Sequence, residues 1–143
     1  MSTYRRIESV SGPAAAVVGL LVLAYTIFGP FYYGCETSGS GPGDTPPTTT
    51  CGSASMLQMG IAPGALVSFG LLLLIWLGIA SGATLHSRSQ HTVWHVVLWT
   101  ATGVLLNFAY LAGLSIGPLL LPSALLALVA CLSSLGVRDA AAV

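Results

Sequence analysis

Four stretches of this chain, residues 13–33, 65–84, 93–113 and 116–135, contain no Asp, Glu, Lys or Arg. A helix crossing the roughly 30 Å hydrocarbon core of a bilayer needs about 20 mostly apolar residues, and each stretch meets that length. A soluble helix shows a polar face at a period of 3.6 residues; these stretches are apolar all round, so they face lipid or one another. Charged residues make up only 6% of the 143, where soluble domains carry about a quarter. The pattern excludes a water-soluble domain. It predicts an all-α, four-helix transmembrane bundle forming one integral membrane domain over residues 1–143, with an outer loop at 34–64.

Orientation follows from the arginines, which are retained on the cytoplasmic side near helix ends. Arg5 and Arg6 precede the first stretch, Arg88 lies between the second and third, and Arg138 follows the fourth. All four fall on one side only if the N- and C-termini are both cytoplasmic, which places the chain as a multi-pass protein of the cell (plasma or inner) membrane. Glu8, Glu36, Asp44 and Asp139 balance the arginines, and there is no Lys. With zero net charge the chain offers no basic surface for nucleic acid. Its expected partners are the lipid bilayer and another membrane protein or a second copy of itself, as a homo-oligomer. Aromatic residues agree with the orientation: Phe28, Phe31, Tyr32 and Tyr33 cluster at the outer end of the first span, and Trp94 and Trp99 lie near the inner end of the third. Trp76 and Tyr25 sit deeper, so their polar hydrogens are expected to find partners inside the bundle.

The outer loop is rich in Gly, Pro, Ser and Thr, a composition that buries too little apolar surface to fold alone. Cys35 and Cys51 bracket it on the side read as oxidising, which predicts a disulfide between them; two free thiols or a pair of metal ligands are the rival readings. Pro63 is expected in the first turn of the second span. Small residues recur at close spacing in every span: Ala15 and Gly19, Gly78 and Gly82, Ala109 and Gly113, and Ser123, Ala127 and Cys131. Such residues let helix backbones approach in lipid. Pro30, Pro118 and Pro122 mark ends and kinks near the outer face.

Groups able to do chemistry are few. His91 and His95 lie four apart on one helical face, with His86 in the preceding connection, and imidazoles at that spacing are weak candidates for metal ligands. Asn107 is the most polar deep side chain, and the cost of burying an unpaired amide predicts an interhelical hydrogen bond inside the bundle. No carboxylate, Lys or Cys-x-x-Cys pair falls within the spans, so catalytic residues, a metal and a cofactor are not expected. The favoured reading is a small multi-pass membrane protein acting as a structural, accessory or interaction subunit, not an enzyme. A small transporter or channel subunit is the first alternative, resting on Asn107, Tyr25, Trp76, Thr100 and Thr102. A metal- or haem-binding subunit, resting on the three histidines, is the second.

Overall fold

The computed structural model describes residues 3–30, 32–38, 48–113 and 116–139. Four long helices form the body: α1 (Thr3–Phe28), α3 (Pro63–Ser89), α4 (Thr92–Leu111) and α5 (Gly117–Asp139). All four are long and apolar enough to cross a membrane. Between α1 and α3 come two strands, β1 (Tyr32–Ser38) and β2 (Thr48–Ala54), and the single-turn helix α2 (Met56–Met59). In the bundle α1 packs against α3 and α5, and α4 against α3 and α5, so each long helix has two principal neighbours.

Both ends of the first two spans differ from the hydropathy boundaries. Helix α1 starts ten residues before Pro13, at Thr3, and ends at Phe28; α3 runs on to Ser89, so that His86 belongs to a helix and not to a connection. Hydropathy stops at the first polar residues, whereas the helix continues because those residues are themselves packed. Glu8, Ser11 and Gly12 extend the buried stripe of Ala15, Gly19, Leu23 and Thr26 along one face of α1. On α3 the stripe Leu72, Trp76, Ile79, Ala83 runs on into His86 and Ser87. Pro13 sits inside α1, removing one backbone donor, which bundled apolar helices tolerate.

The small residues are used for close approach. A Cβ added at Gly12 would fall 2.3 Å from the Cβ of Ala83, and one at Gly19 would fall 2.1 Å from the Trp76 ring, so only glycine lets α1 lie this close to α3. Gly82 plays the same part against Leu98 of α4. Ser123, Ala127 and Cys131 of α5 are fully buried. Pro63 occupies the first turn of α3, as its position predicts. Pro122 lies inside α5.

The segment after α1 corrects the expectation of a loop without structure. Tyr32–Ser38 pairs antiparallel with Thr48–Ala54, with Cys35 opposite Cys51. The two cysteines form the expected disulfide, with Cα atoms 4.0 Å apart. Tyr32, Tyr33 and Thr48–Thr50 supply aromatic and β-branched residues suited to strands, and the directly opposed cysteines pin the register that a polar two-stranded ribbon alone would leave loose. Residues 39–47, Phe31 and the connection at 114–115 lie outside the described residues. Ser55 caps α2 through a reciprocal pair of hydrogen bonds with Gln58.

Candidate functional site

Polar chemistry gathers at the end of the bundle where α1 begins. Glu8, in the second turn of α1, and His86, in the last turn of α3, face each other across the α1–α3 contact. Glu8 Oε1 lies 2.7 Å from His86 Nδ1, with side-chain exposures of 0% and 2%. At that distance the two side chains share a short hydrogen bond. The second carboxylate oxygen, Oε2, is also buried and has no hydrogen-bond partner among the described residues.

A third helix brings His95, in the first turn of α4. Its ring centroid is 5.2 Å from that of His86, and Trp99 flanks it on the other side at 6.1 Å. The fourth helix supplies Ser134, whose Oγ lies 3.2 Å from His95 Nδ1. That hydroxyl also lies 2.6 Å from the carbonyl of Cys131, to which it donates. Below this layer Cys131 Sγ approaches Thr102 Oγ1 at 3.3 Å.

Charge accounting defines what the cluster can do. A carboxylate beside a neutral imidazole places one negative charge in the protein interior, with one oxygen unsatisfied. One further proton makes the pair neutral as a unit. Isolated charge in a low-dielectric setting is costly.

Farther along the bundle the core closes. Trp76, 1% exposed, donates its indole N–H to Ser123 Oγ at 3.1 Å, and Ser123 donates to the backbone carbonyl of Ala15 at 2.8 Å. This lock joins α3, α5 and α1 and satisfies the Trp76 hydrogen inside the bundle, as its depth predicts. Leu72, Ile79, Leu105, Leu120, Ala124 and Ala127 fill the space around it.

Other candidate residues fall elsewhere. His91 is exposed at the N-terminal boundary of α4, apart from the buried pair. Among the described residues no group of three or more His, Cys, Asp or Glu has the arrangement of a metal site. Asn107 is exposed on the outer face of α4, which corrects the expectation that it faces another helix. The inward positions of α4 are Leu98, Thr102, Leu105 and Ala109; at about 100° per residue Asn107 points roughly 200° away from Leu105. Thr102, not Asn107, is the polar residue that α4 buries. Tyr25 is exposed on α1.

Glu8 and Ser134 are the site residues that hydropathy passes over. The signal for Glu8 is its periodic alignment with Gly12, Ala15 and Gly19, which continues the small-residue face into the polar flank. No protein family, no curated protein and no solved structure matches this chain.

Proposed function

We propose that this chain is a small multi-pass membrane protein that acts by contact within the bilayer, as a structural or accessory subunit without catalytic activity of its own. The observation that carries this reading is the Trp76–Ser123–Ala15 lock. It ties α3, α5 and α1 together through two buried hydrogen bonds, from Trp76 to Ser123 and from Ser123 to the Ala15 carbonyl, within a packed apolar core. What the helices present outward is apolar. A groove of about 460 Å³ between α3 and α4, lined by Leu71, Leu74, Ile75, Val97, Val104 and Phe108 among others, has the shape and chemistry to receive an acyl chain or a partner helix. Purified from its native membrane in mild detergent, the chain is expected in a complex larger than one copy. Recovery only as a monomer would contradict the reading.

The orientation belongs to the same proposal: both chain termini in the cytoplasm and the disulfide hairpin outside, because all four arginines then lie on the retained side. Reporter fusions after Leu57 and after Val143 should report outside and inside respectively, and the reverse at either position would refute the assignment.

A second reading, a small transporter or channel subunit, is favoured by the buried Glu8–His86 pair, since ionisable groups within membrane helices commonly mark ion or proton pathways.

A further inference from the structure

We infer that Glu8 and His86 form a proton-binding site at the end of the bundle where α1 begins, in which the pair holds one proton and the His95 ring packs beside it. The site stands on geometry that is independent of the contact reading proposed above. Three observations converge on it. Oε1 and Nδ1 are within a short hydrogen bond, and both side chains are withdrawn from solvent. Glu8 Oε2 is buried with no partner among the described residues, so the ionised carboxylate is left short of the donors that a buried charge requires. The His95 ring packs beside that of His86, with centroids 5.2 Å apart, and shares a hydrogen bond with Ser134.

The charged and titratable groups around the pair come from every helix that packs there. Arg5 lies one turn before Glu8 on α1 and is half-buried. Arg88 of α3 is exposed. His95 approaches from α4, and Cys131 of α5 lies within electrostatic reach of Glu8. The proton comes from water at this end of the bundle. Uptake takes the pair from a net negative charge to neutrality. Release restores a buried charge at the contact that seats the first turns of α1 on α3, so proton occupancy sets how firmly α1 is held.

The test uses the whole chain in lipid nanodiscs with ¹⁵N-labelled histidine. Imidazole nitrogen shifts and the infrared carboxyl band of Glu8 are followed from about pH 5 to 9, the range in which histidine exchanges protons. The site predicts that the His86 shifts and the Glu8 band change together at one pH. It predicts that in Glu8→Gln His86 holds its proton at least about tenfold less tightly, which is about one pH unit. His86 shifts that stay constant across the range, or a midpoint that Glu8→Gln leaves in place, would overturn the inference. If Glu8→Gln does not fold, the wild-type data decide alone: coincident changes support the site, and changes separated by more than about one pH unit, or no change, overturn it.

Discussion

Replacing His86 by leucine is expected to destabilise the bundle by about 3–5 kcal/mol, because it leaves the Glu8 carboxylate buried without its counter-group. The size of the effect comes from the charge left behind rather than from the worth of the pair itself. The double substitution Glu8→Leu with His86→Leu is therefore expected to recover most of the loss, since well-packed apolar side chains commonly replace a buried pair at little cost. A double-mutant cycle of unfolding free energies in detergent micelles measures this directly, with a large favourable coupling expected between the two sites. Lowering the pH should shrink the defect of His86→Leu, because a protonated Glu8 carries no charge to strand. Equal and additive losses in the two single variants would show that the pair is not energetically joined.

Trp76→Ala is expected to cost about 3 kcal/mol, the lower end of the range for removing a buried tryptophan from a soluble core. The lower end applies because lipid is as apolar as the core, so the void and its lost dispersion contacts act without a water-transfer term. The change also orphans a contact surface that Gly19 exists to fit. Trp76→Phe keeps most of the ring and removes the N–H that Ser123 accepts, and it should cost only about 1 kcal/mol, in the range of interhelical hydrogen bonds. Thermal unfolding of the three proteins side by side checks the ordering. If Trp76→Phe were as harmful as Trp76→Ala, the hydrogen bond and not the packed ring would be what holds the lock.

The four long helices and the disulfide could be read from the sequence because both rest on strong local signals. Charge-free apolar runs set the helices, and two cysteines in an otherwise polar connection set the bridge. Helix ends were less legible. Glu8 and His86 look like flanking polar residues to any hydropathy average, yet each satisfies the other across α1 and α3, a long-range pairing that no local window contains. Asn107 shows the same limit from the opposite side. Its polarity suggests an inward position, but the rotation of α4 is decided by Leu98, Thr102, Leu105 and Ala109 acting as a set, and that face leaves the amide outside. The hairpin was hidden by its Gly- and Thr-rich composition, which carries little strand signal until the cysteines are seen to stand opposite each other.

The account turns on whether the bundle is closed. The Trp76–Ser123–Ala15 hydrogen bonds join α3, α5 and α1 between the Glu8–His86 pair and the hairpin end, and on the contact reading proposed above a single copy carries no flux. The direct test is flux through liposomes containing only the purified chain, at pH values on both sides of neutrality. The account predicts ion and solute leakage equal to that of empty vesicles. A saturable flux that Glu8→Gln abolishes in correctly folded protein would contradict it and make the transporter reading the right one.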